Sequence, residues 1–263
     1  MQQITALAFD LFDTLVTVES QSRHEAPVRL LNSLRTQGLP IDSDTFFPVY
    51  REVAQQFMED ARREGKETHN RFWISTTLQR LGHDIAPDDS RIAVAVEAYF
   101  SAFLDHAVPV PDTLEMLSAL KGRYRLGLLS NLTHAPAARQ ILARLGMAPF
   151  FDVVLISGDL GYRKPHAHVF RHLIDAFAVP KEHIAFIGDD LDADIRGAQQ
   201  AGLQPIWTVY ARMRKALEAP GTMLPADLQP PPTVPTIASW HELLLLLDGA
   251  SAPPDQGLVP TTQ

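Results

Sequence analysis

Hydrophobic and polar positions change their spacing several times along this chain, and each change predicts an element. Residues 4–15, ITALAFDLFDTL, open with a short apolar run that climbs to Asp10 and breaks at Asp13 and Thr14. A run of that length ending in an acid predicts a buried strand whose carboxyl end carries a polar group. Past Leu15 the spacing becomes helical. Leu30, Leu31 and Leu34 share a face ahead of Gly38 and Pro40. Phe46, Val49, Tyr50, Val53 and Phe57 then form a stripe with Arg51, Glu52, Glu59 and Arg62 outside it. Phe72, Trp73, Thr76 and Leu81 before Gly82 predict a third helix, and Ile92, Val96, Tyr99, Phe100 and Phe103 a fourth. Roughly ninety residues pass without a strand pattern. They predict a small helical domain with its own core, packed by Phe72 and Trp73 among others.

Pro109 and Pro111 mark the return to alternation. Asp112 and Glu115 have the spacing of a capping box for a helix carrying Leu114, Leu117 and Leu120. Strand patterns at 124–129, 152–156, 184–188 and 203–209 then alternate with helical patterns at 137–145, 169–177 and 193–201. Such alternation predicts parallel pairing through crossovers, an α/β fold with a doubly wound parallel sheet and an inserted α-helical domain. The expected boundaries are 1–15 and 109–248 for the sheet domain and 16–108 for the insertion, with 249–263 a disordered tail. Within the sheet domain, residues 219–236 are crowded with proline and predict an extended crossing segment, and Ser239 with Glu242 caps a last helix ending at Leu247.

Composition narrows the class. A chain of 263 residues holds one large domain or two small ones, and its 46% hydrophobic and 21% charged content is that of a globular protein. A net charge of −8 argues against a nucleic-acid or anionic-membrane surface. The lack of cysteine excludes disulfides, thiol nucleophiles and Cys-ligated metals, and suits the cytosol. No secretory pattern precedes the first strand, and the apolar run at 243–247 is far too short to span a membrane. The expectation is a soluble, cytoplasmic enzyme with a small-molecule substrate and neither a nucleic-acid nor a membrane partner.

Four chemistry-bearing elements fall at predicted strand ends: Asp10 with Asp13 and Thr14; Ser130-Asn131; Lys164-Pro165; and the loop Gly188-Asp189-Asp190-Leu191-Asp192-Ala193-Asp194. Singly, each has an ordinary reading, since Ser, Asn and Asp favour turns and helix starts and lysine is usually solvated. Together they compose a phosphoryl-transfer site. Carboxylates from the first and last loops suit a hard divalent ion such as Mg²⁺. Asp10 is placed as a nucleophile, Ser130 as a phosphate ligand, and Lys164 as the cation that keeps crowded carboxylates ionised.

In this order and spacing the residues resemble the haloacid dehalogenase-like (HAD) hydrolase superfamily over about residues 4–210, with GYRKPHAHVF similar to its Lys-Pro segment and FIGDDLDADIRGAQQAGL to its acidic motif. The resemblance implies Asp10, Ser130 and Lys164 as catalytic residues. It implies Mg²⁺ held by Asp10, the backbone carbonyl of Phe12, Asp189 and Asp194, and a helical cap of the C1 type between the first two motifs. Asp13, Thr14 and Asn131 join them as substrate-binding candidates. Arg51 is added because an arginine on the insertion is able to clamp a carboxylate or phosphate, its plainer alternative being a solvated residue on an amphipathic helix.

One position departs from the family. HAD phosphatases carry a general-acid Asp two residues after the nucleophile; here that residue is Phe12. Loss of a general acid costs about a hundredfold or more for a poor leaving group. Haloacid dehalogenases carry an aromatic residue there, but they work without Mg²⁺, whereas this chain keeps Asp189, Asp190 and Asp194. A Mg²⁺-dependent phosphatase of a small phosphorylated metabolite therefore leads, with a 2-haloacid dehalogenase and a weakly active or non-catalytic binding protein of the same fold as alternatives. Other patterns fail. The run from Asp190 lacks the Gly and Glu of an EF-hand, His168 and His172 lack clustered partners, and Ser130 has no G-x-S-x-G around it.

Overall fold

The computed structural model describes residues 4–213 and 231–249. Among these, eight strands form: β1 (Ala6–Phe9), β2 (Val16–Val18), β3 (Ala107–Pro109), β4 (Arg125–Ser130), β5 (Val153–Ile156), β6 (Ile184–Gly188), β7 (Gln204–Thr208) and β8 (Thr236–Ile237). Six of them make a parallel sheet ordered β5-β4-β1-β6-β7-β8. β1 is central, with Phe9 opposite both Leu128 and Ile187. Its residues are all buried because both faces of the sheet are covered, which is why it reads as a continuous apolar run. Leu7 and Phe9 point into one layer of the core and Ala6 and Ala8 into the other, the two-residue period of a strand.

Four helices follow β1 and β2 as one insertion: α1 (Ser20–Thr36), α2 (Ser43–Glu64), α3 (Asn70–Arg80) and α4 (Ser90–His106). α2 is capped by Asp42, whose carboxylate accepts from the Thr45 N–H at 3.1 Å, and closed by Gly65 at a φ of 68°. The insertion leaves and rejoins the sheet through β2 and β3, which pair antiparallel with Val16 opposite Pro109. These strands are too short for a periodic signal and their partners are some ninety residues apart in sequence, so no strand was predicted there. The buried residues of the insertion, Leu30, Phe46, Ile74 and Ile92 among them, run on continuously into one face of the sheet rather than forming a sealed core of their own.

On the return, α5 (Thr113–Leu120), α6 (Ala135–Arg144), α7 (Ser157–Leu160), α8 (Ala167–Phe177), α9 (Gly197–Ala201), α10 (Tyr210–Met213) and α11 (Trp240–Leu247) complete the fold. The predicted capping box at Asp112 is not made: Asp112 sits at a φ of 62° and its side chain caps nothing. The cap predicted at Ser239 is made, with the Glu242 N–H donating to Ser239 Oγ at 3.3 Å, while the Glu242 carboxylate accepts at 2.8 Å from the N–H of Ala238, one residue before the cap. Trp240 then packs edge-on against Phe9 and donates its indole N–H to Thr113 at 2.8 Å, seating α11 on the sheet. Most of the proline-crowded segment and nearly all of the predicted tail lie outside the described residues. No described helix is long and apolar enough to cross a membrane.

The order of the strands positions the site. From β1 the chain moves outward through β4 and β5 on one side and through β6, β7 and β8 on the other. The carboxyl ends of β1, β4 and β6 therefore meet at a topological switch point, where open α/β sheets bind ligands.

Candidate active site

Asp10 follows the last residue of β1, its N–H donating to the Ile187 carbonyl of β6 at 2.9 Å, so its carboxylate projects from the middle of the sheet's edge. Lys164 lies in the loop after β5 and α7. Its Nζ reaches Asp10 Oδ1 at 2.6 Å and Asp194 Oδ1 at 2.7 Å, and its side chain is 2% exposed. Asn131, one residue past β4, holds that loop in place: its Oδ1 accepts from the Lys164 N–H at 2.8 Å and its Nδ2 donates to the Lys164 carbonyl at 3.1 Å. Asn131 also lines the cavity, so its amide both aims the lysine and borders the space open to substrate. Ser130, the last residue of β4, is fully buried and lines the cavity, and its hydroxyl has no hydrogen-bond partner.

The acidic loop after β6 divides its labour. Asp190 caps the following turn, accepting from the N–H groups of Asp192 at 2.8 Å and Ala193 at 2.9 Å. That turn, Leu191–Arg196, is π-helical rather than the start of the predicted α-helix, a distortion common at functional sites. It sends Asp194 back toward the sheet, where Oδ2 accepts from the Asp190 N–H at 3.0 Å. Gly188 makes this return possible, since a Cβ there would stand 2.3 Å from Asp194 Oδ2. The Trp207 indole of β7 donates to the Asp189 carbonyl at 2.7 Å, and Thr14 Oγ1 to its carboxylate at 3.4 Å. Thr14 is thus a fully buried support for Asp189 and does not line the cavity.

Carboxylate oxygens of Asp10, Asp189 and Asp194 all lie within 4.8 Å of one another. Burial raises the Asp10 carboxyl above its ordinary range against the opposing pull of Lys164. Burial, then the charges of Asp194, Asp10 and Asp13, push Asp189 well above it. Asp194 is pushed up to about 7 by burial, with Lys164 acting in the other direction. Burial alone would lower the Lys164 pKa, but Asp10 and Asp194 outweigh it and raise it, so the lysine stays charged. Three buried acids against one lysine leave an excess of negative charge that only protons or a cation offset.

A cavity of about 420 Å³ opens onto this cluster, bounded on its other side by the helical insertion. Phe12 and Asp13 both line it; Phe12 packs against the core, and Asp13 is 6% exposed at a φ of 57°. Arg51 does not reach it. The face of α2 turned inward carries Tyr50, Ala54, Met58, Ala61 and Arg62, and Arg51, about 100° around the helix from Tyr50, is exposed. Arginines do line the cavity, namely Arg23, Arg62 and Arg163, although the hydrophobic spacing sets Arg62 outside the apolar stripe of its helix and marks neither of the others. Trp73, expected in a cap core, lines the cavity with its ring stacked at 17° on Phe57, while Phe72 is exposed under Arg71.

The chain thus sets an aspartate–lysine cluster at the switch point of a parallel sheet, with a helical insertion after its first strand. The family profile of haloacid dehalogenase-like hydrolases matches residues 4–202, and the chain belongs to that family. It is 32% identical over 203 residues to a glyceraldehyde 3-phosphate phosphatase of Methanopyrus kandleri, covering 76% of this chain and 82% of that one. Two solved structures share the fold at 23% identity. A 2-haloacid dehalogenase from Pseudomonas syringae superposes at a TM-score of 0.65, over 94% of this chain and 99% of that one. The HAD-hydrolase YfnB of Bacillus subtilis, solved with magnesium, superposes at 0.60, over 94% of this chain and 100% of that one.

Proposed function

We propose that this chain is a Mg²⁺-dependent phosphatase of a small phosphorylated metabolite. The observation that carries the reading is the convergence of Asp10, Asp189, Asp194 and Lys164 on one cavity that also holds the unpartnered Ser130 hydroxyl. The phosphatase name of the Methanopyrus relative supports it. The buried acids, all raised from their ordinary range, fit a hard divalent cation. Asp10, Asp189, Asp194 and the Phe12 carbonyl would hold it, and Mg²⁺ there supplies charge neutralisation for the phosphoryl oxygens.

A carboxylate oxygen of Asp10 attacks phosphorus and the bond from phosphorus to the leaving oxygen breaks, leaving an acyl phosphate on Asp10. Ser130 Oγ–H and Lys164 Nζ donate to the phosphoryl oxygens. Water then attacks phosphorus, releasing phosphate and restoring the carboxylate. Phe12 carries no proton, so Asp13, the carboxyl group lining the cavity one residue later, is assigned to the leaving oxygen. The insertion covers the cluster as a cap, excluding water and choosing the substrate.

A panel of phosphoesters, acyl phosphates, phosphonates and 2-haloacids, each with Mg²⁺ and with chelator, tests the reading. Phosphate release that disappears with chelator is expected; halide release that survives chelator would instead make the chain a dehalogenase, the alternative that Phe12 favours. Asp13→Asn should retain hydrolysis of p-nitrophenyl phosphate, whose leaving group needs no proton, and lose about a hundredfold on alkyl phosphates. An equal loss on both would remove Asp13 from proton transfer.

A further inference from the structure

Asn70, the first residue of α3, is 1% exposed and lines the cavity from the side of the insertion, and neither its Nδ2 nor its Oδ1 has a hydrogen-bond partner. A buried amide with both ends unpaired is rare in folded proteins and marks a place where something else completes the pairing. The amide is held ready for it. The stretch 65–70 is tied to the loops of the sheet domain at four points. The Arg163 N–H donates to the Gly65 carbonyl and the Glu67 N–H to the Gly161 carbonyl, both at 3.0 Å. Ser157 Oγ donates to the Glu67 carboxylate at 2.7 Å, and the rings of His69 and His134 share a hydrogen bond of 3.1 Å. His69 also caps α3, its Nδ1 accepting from the Arg71 N–H at 3.1 Å. A group fixed in this way recognises a ligand without first losing conformational freedom.

The cavity that Asn70 lines is walled also by the rings of Tyr50, Trp73, Tyr99, Phe100 and Phe103. The Trp73 indole N–H is also buried without a partner. A short polyol phosphate would leave these rings uncovered, whereas an aromatic leaving group would pack against them. Asn70 is uncharged and offers a donor and an acceptor side by side, the complement of an amide edge. We propose that Asn70 is a specificity-determining residue, and that the substrates are phosphomonoesters whose leaving group ends in a planar, uncharged ring bearing an adjacent donor and acceptor, as in a lactam heterocycle. The inference rests on the phosphatase reading above.

The test compares kcat/KM with Mg²⁺ for uridine and inosine 5′-monophosphates, whose rings carry a lactam edge, with three other probes. Ribose 5-phosphate has a similar ester and no planar base, p-nitrophenyl phosphate has a planar ring without the edge, and phosphoglycolate has a charged leaving group. At least one of the two nucleotides should exceed ribose 5-phosphate by about tenfold or more. Asn70→Leu should erase most of that advantage through KM, and leave ribose 5-phosphate and p-nitrophenyl phosphate within about twofold of the wild type. Asn70→Ser, a smaller change that keeps a polar group, guards against misfolding, and the wild-type ratios need no variant at all. Turnover of ribose 5-phosphate without preference for either nucleotide, a preference for phosphoglycolate, or an equal loss on every probe in Asn70→Leu would overturn this inference alone. No turnover of any phosphoester by the wild type would overturn the phosphatase reading and this inference with it.

Discussion

Asp10→Asn will remove phosphoester turnover, by at least about 10³-fold, and leave a folded protein of equal or higher Tm. The two halves of this expectation have different causes. An amide nitrogen or oxygen does not displace a leaving group from phosphorus, so the covalent step is lost whatever the substrate. Folding gains little from the Asp10 charge: burial raises its pKa against the pull of Lys164, so the folded site favours the ionised form less than the unfolded chain does. Lys164 also keeps Asp194 at 2.7 Å when the Asp10 charge is gone. The measurements are initial rates at saturating Mg²⁺ and a thermal melt of the same sample. Retained turnover would overturn the mechanism, and a Tm collapse would reassign Asp10 to a structural role.

Most of the parallel sheet was legible because each buried strand is an apolar run with a turn residue at its end. Asp10, Ser130, Lys164 and Asp189 lie at or close after such ends, and the sheet order collects three of those ends at its centre. What the residues do once collected was less legible. Thr14 was expected to touch substrate, yet it is committed to the Asp189 carboxylate and lies off the cavity, while Asn131, which does line the cavity, also holds the Lys164 backbone. Roles of this kind depend on contacts between residues 33 and 175 positions apart, which local patterns do not encode. Arg51 was misplaced for a simpler reason: the orientation of α2 over the cavity is set by packing, and the arginine that faces inward on that helix is Arg62. The strands β2 and β3, and the short β8 beside β7, went unseen because runs of two or three residues carry no period.

The division between reaction and selection follows from the same geometry. The groups assigned to phosphoryl transfer come from strand ends of the sheet, whose close packing holds them rigid, whereas the apolar cavity wall comes largely from the insertion. Change in α2, α3 or α4 would thus alter which leaving group is accepted while leaving Asp10 and Lys164 where they are. This accounts for a sequence that reads clearly at the level of family and weakly at the level of substrate.

Lys164→Met should cost both activity and stability, and the stability loss should depend on pH. Methionine matches the length of the lysine stem but leaves Asp10, Asp189 and Asp194 with no internal cation. Breaking a buried ion pair from one side costs about 3–5 kcal/mol, which for a chain of this size is a Tm fall of about 10 °C. The sign with pH follows from the carboxyls. Asp10, Asp189 and Asp194 all have folded pKa values raised above those of the unfolded chain. The stability such groups permit is complete below the unfolded value near 4 and is lost as pH rises through the folded value. For Asp194 that window already extends to about 7 with the lysine present. Without Lys164 the acids hold their protons to still higher pH, so the deficit against wild type should be largest at pH 8, shrink toward pH 5, and be partly reversed by Mg²⁺ at pH 8. Melts of both proteins across that range, with Mg²⁺ and with chelator, decide the matter. A deficit of equal size at pH 5 and pH 8 would assign the loss instead to the packing of Lys164 over the Phe186 ring, 5.3 Å from its Nζ.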